Sequence, residues 1–176
     1  MSGKLLVYTG NGKGKTTAAF GLAVRALGRD MKVCILQFIK SPGRTYGEQI
    51  ALEKLGADIR QLGIGFTWTK TPEEHRESLR TAWKAAKETI SEGEYDLVIL
   101  DELNNALAID AFPVEDVIPL DDVLETIKNR PESAHLVITG RDAKQEIKDA
   151  ADLVSVIHEE KHYYQDGVEA IRGIEY

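Results

Sequence analysis

Short apolar runs alternate along the chain with stretches in which apolar residues return every three or four positions. Leu5 to Tyr8 is a β run that leads into glycines, and about Thr16 to Leu27 predicts a helix stopped at Gly28. Lys32 to Ile39, "KVCILQFI", is almost continuously apolar and β-branched, the pattern of a parallel strand covered on both faces. "SPGRTYGEQ" then reads as a glycine-punctuated loop, followed by a short helix at Gln49 to Leu55 and a short strand at Asp58 to Gly63. The clearest helix begins after Thr71. There T-P-E-E supplies an N-cap threonine, a proline at the first helical position and Glu74 at the capping-box position. Leu79, Ala82, Trp83, Ala86 and Ile90 form its apolar stripe, which assigns Trp83 to the core.

Beyond it, Tyr95 to Leu100 ("YDLVIL") and His135 to Thr139 ("HLVIT") predict buried strands, joined through a helix near Asp121 to Lys128. A short helix at about Ala143 to Ala151, the strand "LVSVI" and the segment "GVEAIRGIEY" complete the chain. Strands alternating with helices predict an α/β three-layer fold around a mainly parallel sheet, with residues 1–176 as a single domain.

Composition narrows the partners. The chain has 176 residues, 43% of them hydrophobic, enough for one good-sized core, and its formal net charge is −7. A broad basic footprint is absent, so nucleic acid is not an expected partner. Cys34 is alone, which excludes a disulfide within the chain, and its apolar surroundings predict a buried, inert thiol. No apolar run reaches the roughly 18–20 residues of a membrane span, and the expected location is the cytoplasm. His75, His135, His158 and His162 show no metal-ligand spacing.

The chemistry concentrates in "LLVYTGNGKGKTTAAFG". A phosphate-binding loop needs glycines that let successive N–H groups turn toward one anion, a lysine to neutralise it and a hydroxyl for a divalent ion, all at a helix N-terminus. Gly12, Gly14, Lys15 and Thr16 meet those needs, although Thr9 stands where the first glycine of the usual pattern falls and Gly10 comes one place late. The second half of such a site is an apolar strand ending in an acid. "LVILDELNNA" supplies Asp101 and Glu102, either of which suits the metal role. Arg25 and Arg141 are further candidates to reach phosphate. Phe66 and Trp68, in the glycine-bounded "GIGFTWTK", are either a core lid or a platform for a flat ligand.

"GNGKGKTTAAFG", "QFIK", "GFTW", "DLVILDELNNAL", "VITGR" and the closing "GIEY", in this order, resemble the ATP:corrinoid adenosyltransferases of the P-loop NTPase, RecA-like type, over nearly the whole chain. The variant first-glycine position is itself a property of that family. The resemblance implies a homodimeric enzyme with ATP and a corrinoid as substrates, Mg²⁺ or Mn²⁺ as the divalent ion, and an electron donor such as a flavodoxin. The 5′-deoxyadenosyl group would pass to Co(I) and triphosphate would leave, with ATP lying reversed relative to ordinary P-loop enzymes. By position, Gly12, Gly14, Lys15, Thr16 and Thr17 would hold the triphosphate, with Asn11 and Lys13 in the same loop, and Thr16 with Glu102 would hold the ion. Arg25 and Arg141 become nucleotide contacts, and Phe66 and Trp68 would pack on the lower face of the corrin. Some members carry an N-terminal extension over the corrinoid, whereas Met1 to Lys4 alone precede the first strand here. The alternative from another class is a P-loop ATPase or nucleotide-dependent regulatory module without corrinoid chemistry.

Overall fold

In the computed structural model, residues 2–43, 45–65 and 70–176 are described. Six strands form one parallel sheet in the order β3-β2-β4-β5-β1-β6. They are β1 (Leu5–Thr9), β2 (Val33–Gln37), β3 (Asp58–Gln61), β4 (Leu97–Asp101), β5 (His135–Thr139) and β6 (Leu153–Val156). The strands that read as unbroken apolar runs take the middle of the sheet. Every residue of β2 and β4 is buried, while the edge strands β3 and β6 remain largely in contact with solvent.

Side chains alternate between two layers, as the pleat requires. Cys34, Leu36, Val98, Leu100, Leu136 and Ile138 face α3 (Pro72–Glu92), α5 (Leu120–Lys128) and α6 (Gln145–Ala150). Val33, Ile35, Leu97, Ile99 and Val137 face α1 (Lys15–Leu27) and α2 (Gly47–Lys54) on the other side. The predicted three-layer α/β architecture is therefore present, with element ends shifted by no more than two residues. Helix α3 starts at the predicted capping box: Glu74 N–H donates to Thr71 Oγ1 at 3.2 Å, and Thr71 N–H donates to Glu74 Oε2 at 2.8 Å. Trp83 is in the core, 3% exposed, with its indole N–H donating to Asp122 Oδ2 at 2.7 Å. Cys34 is buried, and desolvation, with Asp58 nearby, pushes its thiol up to about 12, which keeps it protonated and inert.

Two elements lie outside the sequence reading. Helix α4 (Leu103–Leu107) has the five residues "LNNAL", too few for a period to show and rich in asparagine, and a 3-10 turn spans Tyr163–Asp166. One residue of α1 has no structural reason to be what it is. Gly21 lies mid-helix, where glycine costs about 1 kcal/mol relative to alanine, yet a Cβ there would meet nothing within 4 Å. No helix among the described residues is long and apolar enough to cross a membrane.

Parallel pairing brings the carboxyl ends of the central strands level. Gln37 sits opposite Asp101, and Tyr8 opposite Thr139. The functional cleft opens at this edge, where the chain leaves β1 and crosses over β5 and β4 to reach β2.

Candidate nucleotide site at the strand ends

The loop after β1 takes its shape from close backbone approaches. Gly12 N–H donates to the Ile157 carbonyl at 2.9 Å, and a Cβ on Gly12 would lie 2.7 Å from the His158 carbonyl group, so only glycine lets the loop lie against the segment after β6. The late first glycine has a local cause. Residue 10, with φ +97°, needs the left-handed region, whereas Thr9 is an ordinary strand residue whose hydroxyl accepts the Ala143 N–H at 3.2 Å. Gly14, at φ +116°, caps α1 without a side chain. The first turn of α1 carries no acidic residue, so an uncompensated helix N-terminus faces the cleft. Lys15 Nζ folds back to donate to the Gly12 carbonyl at 2.7 Å. Burial of its ammonium, with Arg141 adding repulsion, lowers its pKa.

The two acids at the end of β4 are not equivalent. Asp101 is fully buried, and both of its oxygens are used: Oδ1 accepts from Thr16 Oγ1 and Thr139 Oγ1 at 2.8 Å each, and Oδ2 accepts from Gln37 Nε2 at 3.0 Å. Glu102 turns away from it at φ +64°, fixed by its N–H donating to Thr139 Oγ1 at 2.9 Å. Its carboxylate lines the cleft and accepts no hydrogen bond among the described residues. Desolvation and the Asp101 charge push it up to about 7. Lys40, the lysine of "QFIK", stands beside the pair, 2.9 Å from Glu48 Oε1 and 3.8 Å from Asp101 Oδ2. Although desolvation acts against its charge, Asp101 and Glu48 outweigh that effect and raise its pKa.

The cleft measures about 820 Å³. Of the residues expected from sequence, Lys13, Gly14, Lys15, Thr16, Thr17, Glu102 and Arg141 line it. Arg141 is placed there by its N–H donating to Asn105 Oδ1 at 2.9 Å. Gly12 and Asp101 stand behind the wall, supporting the residues that form it. Asn11 and Arg25 are exposed and do not contribute to the lining. Phe66 and Trp68 lie outside the described residues. Lys40, Thr139, Gln37 and the segment Gly173–Tyr176 belong to the site or its support without having been read as such. A polar or charged residue closing each apolar run (Gln37 at the end of β2 with Lys40 beyond it, Thr139 at the end of β5) was the available signal.

Glu102 offers a test with a definite sign. Its carboxyl titrates at about 7 in the fold against roughly 4.3 in an unfolded chain, so ionising it costs the native state increasingly as pH rises between those values. Glu102→Gln removes that cost. The variant is expected to melt with the wild type near pH 4.5 and above it at pH 8, in metal-free buffer. Equal melting temperatures at both pH values would count against a strained carboxylate.

A parallel sheet whose first strand runs through a glycine-lysine-threonine turn into a helix, with an acid-tipped strand beside it, defines a P-loop nucleotide-binding protein of the RecA-like type. Solved structures agree on the fold: the flagellar accessory protein FlaH from Methanocaldococcus jannaschii superposes with TM-score 0.57 at 15% identity, covering 88% of this chain and 71% of that one. The RadB recombinase superposes with TM-score 0.53 at 17% identity, covering 89% and 75%. The chain belongs to the ATP:corrinoid adenosyltransferase BtuR/CobO/CobP family, whose model matches residues 1–176. It is 40% identical over 175 residues to the corrinoid adenosyltransferase of Escherichia coli (strain K12), covering 99% of this chain and 86% of that protein. It is 39% identical over 178 residues to the corrinoid adenosyltransferase of Pseudomonas aeruginosa, covering 99% and 84%.

Proposed function

We propose that this protein transfers the 5′-deoxyadenosyl group of ATP to the Co(I) centre of a corrinoid and releases triphosphate, as a step of adenosylcobalamin biosynthesis. The observation that carries the reading is the family match along the whole chain, joined to a cleft lined both by a P-loop lysine and by a carboxylate that accepts no hydrogen bond among the described residues. In the reaction the Co(I) electron pair forms the Co–C5′ bond, and the C5′–O bond breaks with its electrons passing to the triphosphate. No proton need move at carbon, so the chain's work is to align the substrates and to stabilise charge on the leaving group.

Lys15, Lys13, Arg141 and the N–H groups at the start of α1 suit that charge. Thr16 and Glu102 suit a divalent ion such as Mg²⁺ or Mn²⁺: a desolvated carboxylate that accepts no hydrogen bond among the described residues and a hydroxyl lining the same cleft are hard oxygen donors. A bound ion would add positive charge to the leaving triphosphate. Asp101 then serves by aiming the Thr16 hydroxyl. From the family resemblance we also assign Phe66 and Trp68 to the lower face of the corrin, and Asn11 and Arg25 to contacts made once nucleotide is bound. The same resemblance supports a single-domain cytoplasmic homodimer supplied with electrons by a flavodoxin-like protein.

The test is to mix protein, ATP, Mg²⁺ and chemically reduced corrinoid, follow the light-sensitive adenosylated spectrum and chromatograph the products. Triphosphate should appear in step with the adenosylated corrinoid and only when Co(I) is present. ADP and orthophosphate released in step with turnover, without that spectrum, would instead identify an ATPase.

A further inference from the structure

A carboxylate from the end of the chain sits on the phosphate loop. Lys13 and Glu175 both line the cleft, and Glu175 Oε1 lies 3.1 Å from Lys13 Nζ. Of the other acids along the cleft, Glu48 pairs with Lys40, and Glu102 accepts no hydrogen bond among the described residues. Among those residues, Glu175 is the acid paired with a lysine of the loop. Its oxygens are also held from within its own segment: the Tyr163 hydroxyl donates to Oε1, and the Ile171 N–H donates to Oε2 at 2.8 Å. The Tyr163 hydrogen bond, helped by the Ile171 N–H, holds the carboxyl down at about 2, so Glu175 is an anion near neutral pH.

The contact is built to open and to close again. The Lys13 and Glu175 side chains are 40% and 19% exposed, and an ion pair in touch with water contributes little because solvent screens it. A triphosphate carries several negative charges and outcompetes one carboxylate for the same ammonium. None of residues 152–176 is buried, so no apolar core fixes Glu175 against Lys13. The turn that carries Glu175 closes on itself, with the Ile174 and Glu175 N–H groups donating to the Ile171 carbonyl at 3.0 and 2.9 Å. Those bonds do not involve Lys13, and the turn keeps its shape when the ion pair opens. Meanwhile Gly12 N–H, bonded to the Ile157 carbonyl at 2.9 Å, holds the loop against the chain that leads into the segment. Glu175 therefore stays within reach of Lys13 at a high effective concentration.

We infer that Glu175 is a tethered competitor of the triphosphate: it holds the Lys13 ammonium in the free protein, yields it when the phosphate chain enters, and takes it back as the triphosphate leaves. The inference rests on the proposed phosphate cradle. Such a competitor leaves the leaving-group charge stabilised during transfer and hastens release of the product afterwards. Binding of inorganic tripolyphosphate with Mg²⁺ is measured by titration calorimetry for the wild type, Glu175→Gln, Lys13→Met and the double variant, each beside a melting curve. Glu175→Gln keeps the side-chain length and one acceptor oxygen but loses the charge, and it should bind tripolyphosphate at least threefold more tightly. In the Lys13→Met background the same change should alter affinity by less than 1.5-fold. Tyr163→Phe removes a contact of the segment and leaves the charge on Lys13, so it should bind within twofold of wild type. Unchanged or weaker binding by Glu175→Gln, an equal gain in the Lys13→Met background, or an equal gain from Tyr163→Phe overturns the competitor while leaving the cradle intact. If neither the wild type nor Glu175→Gln binds tripolyphosphate, the cradle falls and the competitor with it.

Discussion

Lys15→Ala is expected to lower the adenosylation rate by two to three orders of magnitude while leaving the fold nearly unchanged. In the free protein the Lys15 ammonium is folded onto the Gly12 carbonyl and partly desolvated, so it is already positioned in a site where a charge interacts strongly. A preorganised contact to charge that develops on a leaving group contributes roughly 2–4 kcal/mol to the transition state. Among the described residues the same side chain makes one hydrogen bond, with a net worth of about 1 kcal/mol. Initial rates at saturating ATP and corrinoid, beside a melting curve, separate the two effects. A near-normal rate would remove Lys15 from the chemistry, and a collapse in stability would make its role structural.

Asp101→Ala should do the reverse and strike the fold first. The Asp101 carboxylate is the shared acceptor for Thr16, Thr139 and Gln37, which come from α1, β5 and β2, and Lys40 lies 3.8 Å away. Alanine would leave the buried donors without their acceptor and the Lys40 ammonium with Glu48 alone. Breaking a buried charged network in this way costs about 3–5 kcal/mol, a fall on the order of 10 °C in a chain of this size. Activity should also fall, because Thr16 would lose the acceptor that aims its hydroxyl. Asp101→Asn keeps the shape and one acceptor oxygen, so it should recover part of the stability. If Asp101→Ala melts with the wild type, the network is not what joins these strands.

Between them, the two residues mark the boundary between what the sequence conveys and what the fold adds. Lys15 was legible without a structure. A glycine-flanked lysine between an apolar β run and a helical stretch has one common use, and every part of that signal lies within about twenty consecutive residues. The same holds for the α3 capping box, for Trp83 at its place in an apolar stripe, and for the buried strands β2, β4 and β5. In each case the physical cause is local: a period, a cap or a φ preference acts over one or two turns of chain, so the sequence by itself determined these elements and the type of loop they carry.

The division of labour between Asp101 and Glu102 was not legible, because both follow the same apolar strand. Three distant residues decide it. Thr16, Thr139 and Gln37 claim Asp101, while Thr139 also holds the Glu102 backbone at positive φ and turns that carboxylate into the cleft. Strand order likewise depends on pairing between segments far apart in the chain, which no local period encodes. That order places Lys40 beside the acids, and packing brings the segment Gly173–Tyr176 across the cleft from α1 while leaving Arg25 and Asn11 outside its lining. The glycine-lysine-threonine loop was written in the sequence; which side chains line the cleft, and which hold those side chains in place, was decided by tertiary contacts between β1, β2, β4 and β5.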